Sequence, residues 1–290
     1  MRYQSGKDYL ADPDKRVLLF GMSGLGKTHI SNILRAAGNW FHFSVDYRIG
    51  TRYMGEHIVD NFKREAMRNP FLANLLRTDS IYIASNITFN NLSPLSTYLG
   101  KPGNPDLGGI PIKEYKRRQE QHRQGEIAAL YDTIPFIGRA HDLYGYANFV
   151  CDSGGSICEV VETADLSDPL MNALCDNLLL IHIEGRPDHT DTLVERFKKA
   201  PKPMYYQPEF LDLLWAEFLA AEGVAEDAVD PDAFLVFAYR RCLEHRLPRY
   251  RQMAQNWGLA IPSEEMAQIS TEDDFNALVA RHLDAYEPKT

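Results

Sequence analysis

The chain has 290 residues, of which 44% are hydrophobic, and this is enough nonpolar material for the core of a large globular domain. Its formal net charge of −9 gives no long-range attraction for nucleic-acid phosphates, so a DNA or RNA partner is not expected. No nonpolar run approaches about eighteen residues and the first residues are polar, so the sequence predicts neither a membrane span nor a signal peptide. We therefore expect a cytoplasmic protein, and the oligomeric state stays open.

Four nonpolar runs predict buried parallel strands, and helical patterns separate them. In chain order the runs cover 17–20, 40–46, 146–152 and 177–183. Alternation of strands and helices is typical of an α/β fold in which a parallel sheet is covered by helices on both faces, a three-layer α/β/α arrangement. We treat residues 1–290 as a single domain of this kind.

Two regions interrupt the alternation and are interpreted as additions to the core. Residues 69–123 have a middle rich in Pro, Gly and Asn and end in a charged helix, and we expect this insertion near the acceptor site. Residues 204–245 contain two segments with nonpolar residues three and four apart, which predicts a helical insertion. The basic run at 113–123 is interpreted as the solvated face of a helix, with an anion clamp as the alternative.

A phosphate-binding motif follows the first predicted strand. Residues 21–28 read Gly-Met-Ser-Gly-Leu-Gly-Lys-Thr and match G-x-x-x-x-G-K-[ST] in full, with a helical pattern directly after them. In such a loop the backbone N–H groups point at phosphate oxygens, the lysine reaches the β- and γ-phosphates, and the threonine hydroxyl binds Mg²⁺. The sequence therefore predicts ATP and Mg²⁺ as cofactors. The predicted nucleotide contacts here are Gly21, Ser23, Gly24, Leu25, Gly26, Lys27, Thr28 and His29, with Lys27 also catalytic and Thr28 also a metal ligand.

The second predicted strand ends near Asp46, at the edge where ligands bind in open α/β sheets. From here the sequence resembles shikimate kinase and related small-molecule kinases such as gluconate kinase, whose second strand ends in Asp-x-Asp and continues to G-x-x-I-x-x-x-F. Gly55, Ile58 and Phe62 match that spacing within one residue, whereas Arg48 replaces the second aspartate. The resemblance implies that Asp46 is catalytic and orients either the water shell of the metal or the acceptor hydroxyl.

A second matching segment runs from the Gly-Glu pair at 125–126 to the third predicted strand. In the kinases that this chain resembles, the strand leads into three glycines that face the substrate. The resemblance therefore assigns Gly154 and Gly155 to substrate binding, and it leaves Asp152 as the rival of Asp46 for activating the acceptor. Leu130 replaces the substrate-binding arginine of that family, so we expect an acceptor other than shikimate.

Two further segments extend the resemblance toward the end of the chain. One is similar to the arginine-bearing lid of those kinases, which implies that Arg196 lies beside the adenine and that Lys202 supplies a catalytic lid cation. Such a cation adds positive charge as the site closes over the transferring phosphoryl group. The other matches an Arg-x-Pro-x-Tyr helix that begins at Arg246, which implies that Arg246 binds an anionic substrate.

Together these patterns predict an ATP- and Mg²⁺-dependent kinase. It would transfer the γ-phosphoryl group to a hydroxyl of a small, anionic metabolite. Two alternatives stay open at this point: a regulatory ATPase that acts with a protein partner, and a kinase of polynucleotide ends or protein side chains. The second alternative needs the basic helix 113–123 to face the phosphate-binding loop.

Overall fold

The computed structural model describes residues 2–186 and 189–286, and in this part of the chain it contains one five-stranded, all-parallel sheet. The α/β class and the parallel sheet predicted from the sequence are confirmed. Each of the four predicted strands is present, with ends within two residues of the expected ones. The strands are β1 (Arg16–Phe20), β2 (Trp40–Ser44), β3 (Asn148–Asp152), β4 (Leu179–Glu184) and β5 (Gly258–Pro262).

Helices connect the strands, and among the described residues none is long and nonpolar enough to cross a bilayer. A π-helical turn at Ile49–Tyr53 separates the third helix from the fourth. In chain order the helices are α1 (Gly6–Ala11), α2 (Lys27–Ala36), α3 (Val45–Arg48), α4 (Gly55–Ala66), α5 (Pro70–Arg77), α6 (Ser93–Leu99), α7 (Ile112–Tyr144), α8 (Pro169–Asn177), α9 (His189–Lys199), α10 (Pro208–Glu222), α11 (Pro231–Trp257), α12 (Ser263–Met266) and α13 (Glu272–Asp284).

The strand order β2-β3-β1-β4-β5 places β1 at the centre of the sheet. Residues 17–20 of β1 are fully buried, as expected for a strand whose run of nonpolar side chains is covered on both faces. Leu19 is paired in register with Asp152 of β3, and Phe20 with His182 of β4. Since parallel strands end at the same edge of a sheet, the loops that follow β1 and β3 start side by side.

The chain divides into two compact units. The first unit comprises Met1–Val45, Ile127–Lys199 and Ala238–Thr290, and it contains the whole sheet. The second comprises Asp46–Glu126 and Ala200–Phe237, so all of the expected insertion 69–123 and most of 204–245 belong to it.

In the second unit the basic segment of α7 is held by ion pairs and an aromatic ring, with Arg118 buried and Lys116 and Arg117 exposed. The Arg118 guanidinium lies 4.7 Å from the centre of the Tyr98 ring and donates to Glu114 at 2.8 Å. Arg117 donates to both oxygens of Glu114 at 2.7 Å, and Lys116 lies 2.8 Å from Asp212. These pairs use charges that the sequence had left available for an anionic ligand.

Candidate functional site

The glycine-rich loop (21–28) joins β1 to α2 and adopts a backbone that side chains disfavour. Gly21, Gly24 and Gly26 have φ angles of 134°, 89° and 94°. A residue with a Cβ rarely adopts such angles, and glycine does so without steric cost. At Gly21 a Cβ would also lie 2.7 Å from the carbonyl oxygen of Ile183. The backbone conformation of the loop therefore depends on glycine at these three positions.

Three consecutive amides of this loop are available to a ligand. Within the described residues, the N–H groups of Gly24, Leu25 and Gly26 donate to no acceptor, and they lie directly before the N-terminus of α2. Ser23 and Thr28, at either side, are exposed. Clustered N–H groups at the positive end of a helix form an anion-binding site. The loop has the geometry to hold a phosphate group.

Lys27 carries the positive charge of the loop. Its side chain is buried, and Nζ donates to the carbonyl oxygens of Gly21 and Met22 at 2.8 and 3.0 Å. These bonds fold the ammonium back across the loop, beside the amides described above. A bound phosphate would therefore meet a cation that is already in position and shielded from water.

Thr28 and Asp152 form a direct side-chain contact between the loop and β3. The Thr28 hydroxyl donates to Oδ2 of Asp152 at 2.7 Å. Burial raises the pKa of Asp152, and the charge of Lys27 together with this hydrogen bond opposes that rise. The sequence predicted Thr28 as a metal ligand and considered Asp152 only for the acceptor. The contact brings the two residues together.

The oxygen atoms of Thr28 and Asp152 fit magnesium. Mg²⁺ prefers hard oxygen donors and is bound in nucleotide sites by one or two protein groups together with phosphates and water. The described residues contain no cluster of three or more His, Cys, Asp or Glu side chains that could hold a metal by themselves. A threonine hydroxyl beside a carboxylate suits an ion that arrives with a nucleotide.

A histidine that the sequence did not single out lies behind Asp152. His42 of β2 is buried, and its Nε2 is 3.9 Å from Oδ2 of Asp152. Burial, aided by the charge of Arg35, lowers the pKa of His42 to about 4. The imidazole is therefore neutral at pH 7 and does not compete with a metal for the charge of Asp152.

A second buried histidine lies below the start of the loop. His182 of β4 stacks on Phe20 and on Tyr250, with ring centres 5.3 and 5.6 Å away. A Cβ at Gly21 would be 3.2 Å from its ring. Burial, with smaller effects of neighbouring charges, lowers the pKa of His182 to about 4. A single histidine in a nonpolar strand gives no functional signal in sequence, which is why it was missed.

The second loop (153–161) follows β3 and touches the glycine-rich loop. A Cβ at Gly155 would lie 2.7 Å from the Ser23 hydroxyl, so glycine allows the two loops to approach. The carbonyl oxygen of Gly155 accepts hydrogen bonds from Nη1 of Arg246, at 2.8 Å, and from the Tyr250 hydroxyl. Gly154, the other glycine assigned to the substrate, is buried.

Arg246 is buried in an ion pair. Its Nε donates to Oε1 of Glu159 at 2.8 Å, and His245 approaches the other oxygen of that carboxylate at 3.3 Å. Burial favours a raised pKa for Glu159, but the hydrogen bond from His245 and the charge of Arg246 outweigh it, and the pKa lies below its ordinary value. The residue assigned to the substrate thus contacts the backbone and a carboxylate of the second loop.

A cavity of about 530 Å³ adjoins the outer side of the glycine-rich loop. Arg186, which follows β4, forms part of its wall and lies 3.4 Å from Glu264. Arg196 is exposed on α9 and does not line this cavity. The cavity is lined by Gly24, Leu25, Gly26, His29, Ile30, Arg186, Ser263, Glu264, Met266 and Ala267.

Two predicted catalytic residues belong to the second unit. Asp46 is half-buried in the first turn of α3, and Lys202 is exposed and lines a cavity of that unit. In the first unit, by contrast, the structure brings Lys27, Thr28 and Asp152 together at the ends of neighbouring strands.

The chain matches no protein-family model, no curated protein and no solved structure.

Proposed function

We propose that this protein is an ATP- and Mg²⁺-dependent phosphotransferase with a three-layer, P-loop kinase core similar to that of shikimate kinase. It transfers the γ-phosphoryl group to a hydroxyl of a small, anionic metabolite other than shikimate. The observation that carries the proposal is the hydrogen bond from Thr28 to Asp152, in a loop that also holds a buried lysine and three amides with no acceptor among the described residues. This combination provides phosphate binding and metal binding at one strand edge.

In the first unit, different residues bind the phosphates and the metal of the nucleotide. Lys27 and the amides of 24–26 bind the terminal phosphates, and the Thr28 hydroxyl holds the metal. Asp152 accepts hydrogen bonds from the metal's water shell. Mg²⁺, when bound, neutralises charge on the β- and γ-phosphate oxygens. Phosphoryl transfer needs positioning and charge neutralisation more than covalent chemistry, so these few groups are sufficient on the nucleotide side.

The cavity beside the loop supports a nucleotide in preference to free phosphate. Its volume of about 530 Å³ lies within the range of roughly 300–1,000 Å³ that is common for small-molecule sites. Exposed His29 and Arg186 provide polar contacts at its wall, and Glu264 of the same wall offsets the charge of Arg186. We place the nucleoside here. Arg196 does not line this cavity, so its contact with the adenine remains a prediction from the resemblance alone.

The acceptor side is assigned by the resemblance. Asp46 orients the acceptor hydroxyl or the metal's water shell, Lys202 adds charge on closure, and Gly154 and Gly155 face the substrate. For Arg246 the pair with Glu159 favours a positioning role, in which it holds the carbonyl of Gly155. Its contact with an anionic substrate remains the prediction from the sequence.

The proposal is tested by screening a metabolite library for conversion of ATP to ADP in the presence of Mg²⁺. We expect one acceptor to give equal amounts of ADP and phosphorylated product. Lys27→Ala should lose this activity, whereas Lys7→Ala, which changes an exposed lysine of α1, should keep it. Asp46→Asn with full activity would remove Asp46 from the acceptor side.

Other outcomes favour the alternatives. ADP and inorganic phosphate released at a rate that no metabolite changes would contradict transfer and indicate an ATPase. Salt-sensitive RNA or DNA binding that is lost in Lys116→Gln and Arg117→Gln would indicate a polynucleotide substrate.

A further inference from the structure

The second unit contains a cavity that lies outside the phosphate-binding loop and the nucleoside cavity of the first unit; Lys202, assigned to closure by the resemblance alone, lines it. The volume of the cavity is about 690 Å³, well within the common range for sites of small organic molecules. Three chain segments form it, at 89–101, 107–108 and 202–203. The lining residues are Phe89, Asn90, Leu92, Ser93, Ser96, Thr97, Gly100, Lys101, Leu107, Gly108, Lys202 and Pro203.

The polar part of the lining is cationic. It contains Lys202 and Lys101 and, among the described residues that line it, no carboxylate. Lys101 contacts Asp232, which offsets its charge, whereas Lys202 has no ion pair within the described chain. Ser93, Ser96 and Thr97 are three and four residues apart on α6, so their hydroxyls share one face of that helix and add hydrogen-bonding groups. This arrangement suits an anion.

The remaining lining is nonpolar. Phe89, Leu92, Leu107 and Pro203 contribute it, and the Phe89 ring stacks on Tyr47 with centres 4.6 Å apart. A site with cationic groups and a nonpolar wall favours a ligand that carries both a negative charge and a hydrophobic body. The charge then exchanges water for a lysine, and the hydrophobic body exchanges water for the nonpolar wall.

The wall of the cavity is fixed before any ligand arrives. Gly100 and Gly103 have φ angles of 70° and 138°. The Gly103 amide donates to Ile110 at 2.9 Å, and the Ile110 amide donates back to Lys101 at 2.8 Å. A Cβ at Gly103 would lie 2.5 Å from the carbonyl oxygen of Val229. A preformed wall lowers the ordering cost of binding.

We propose that this cavity binds a small organic anion with a nonpolar body, and that Lys202 makes the principal charge contact. The proposal concerns binding alone and does not depend on ATP turnover. The ligand is a substrate or an effector of the protein, and both share this chemistry.

Binding is tested by isothermal titration of the full chain with aromatic monocarboxylates, led by 4-hydroxyphenylacetate. Each acid is paired with its amide, which has the same shape without the charge. We expect the acids to bind and the amides to bind about tenfold more weakly, because the amide lacks the charge that Lys202 contacts; tenfold corresponds to about 1.4 kcal/mol. Acids and amides of equal affinity, or acids that do not bind, would overturn the proposal.

Variants locate the binding and separate it from folding. Lys202→Gln should lower the affinity for the acids about tenfold. Lys113→Gln changes an exposed lysine of the same unit outside the cavity and should leave that affinity unchanged. Ser96→Leu fills part of the cavity and should abolish binding, with the circular dichroism spectrum as the check on folding. Equal affinity in Lys202→Gln and Lys113→Gln would place the acids elsewhere.

The Lys27→Ala variant separates this site from the nucleotide site. Acid binding should be unchanged in Lys27→Ala, since that residue belongs to the phosphate site. A bound acid that is phosphorylated in the wild type is a substrate, and one that changes the rate of ADP formation without being modified is an effector. Loss of acid binding in Lys27→Ala would contradict a separate cavity.

Discussion

The two loops that follow β1 and β3 begin at adjacent strand ends and differ in how their polar groups are used. The glycine-rich loop (21–28) leaves the amides of 24–26 without acceptors among the described residues. In the second loop (153–161), the Gly155 carbonyl and the Glu159 carboxylate are both bound by Arg246. In the proposed function the first loop offers its hydrogen-bonding groups to a ligand, whereas the second loop uses its own groups to hold its shape.

This difference indicates a division of roles between the loops. A loop with open amides binds an anion directly, whereas a loop fixed by a buried ion pair positions what lies next to it. Gly155 is the point of contact, because a Cβ there would meet the Ser23 hydroxyl. The second loop therefore supports the shape of the first.

The largest expected effect comes from breaking the ion pair of the second loop. Arg246→Met leaves the buried Glu159 carboxylate without its guanidinium and should lower the free energy of unfolding by about 3–5 kcal/mol. The matched control is Arg251→Met, whose exposed pair with Glu184 should cost at most about 1 kcal/mol. Urea denaturation measures both. If Arg246→Met keeps its stability and raises only KM, Arg246 binds substrate instead.

The next effect concerns the carboxylate between the two loops. Asp152→Asn keeps an acceptor for the Thr28 hydroxyl but removes the charge, so ATP turnover should fall about 10- to 100-fold and need more Mg²⁺. Asp165→Asn, an exposed carboxylate outside the strand edge, is the control. The rate of ATP turnover is measured against Mg²⁺ concentration in the wild type and in both variants. An unchanged Mg²⁺ requirement in Asp152→Asn would remove Asp152 from the metal site.

A smaller effect follows from the buried histidine below the glycine-rich loop. The pKa of His182 is about 4 in the folded chain and 6.5 in the unfolded chain. The contribution of His182 to the free energy of unfolding is therefore constant well above pH 6.5. It falls as the pH drops from 6.5 toward 4, because the unfolded chain takes up a proton that the folded chain does not. His182→Phe keeps the stacking and removes the titration. Between pH 6.5 and 5 the variant should lose about 1.6 kcal/mol less than the wild type. Urea denaturation at both pH values measures this.

The exposed His141→Gln variant is the control for that experiment and should follow the wild type. If His182→Phe loses as much stability on acidification as the wild type does, the histidine already exchanges its proton freely in the folded chain.

The smallest effect tests the contact between the loops. Gly155→Ala brings a Cβ against the Ser23 hydroxyl, which can rotate away, so ATP affinity should fall by only about 1 kcal/mol, or about fivefold. Ser23→Ala combined with Gly155→Ala should recover the loss. Gly138→Ala is the control, since a Cβ there meets nothing within 4 Å. A Gly155→Ala variant with unchanged affinity would mean that the second loop does not support the first.

Local patterns were sufficient for the fold and for one loop. The strands are continuous nonpolar runs, and the glycine-rich loop is encoded in eight consecutive residues, so both were predicted. The pair of Glu159 and Arg246 joins residues 87 positions apart, and the contact of Asp152 with Thr28 joins residues 124 apart. Such pairings depend on strand order, which the sequence pattern does not specify. The cavity at Lys202 likewise needs three separate segments.

The central claim is that the glycine-rich loop holds the terminal phosphates of a nucleotide with Mg²⁺. Isothermal titration with ATP, with Mg²⁺ and with the metal chelated, tests it most directly in the wild type and in Lys27→Ala. We predict a Kd below about 1 mM with Mg²⁺, at least about tenfold weaker binding without the metal, and no measurable binding in Lys27→Ala. ATP affinity that is indifferent to Mg²⁺ and to Lys27, or no affinity at all, would contradict the claim.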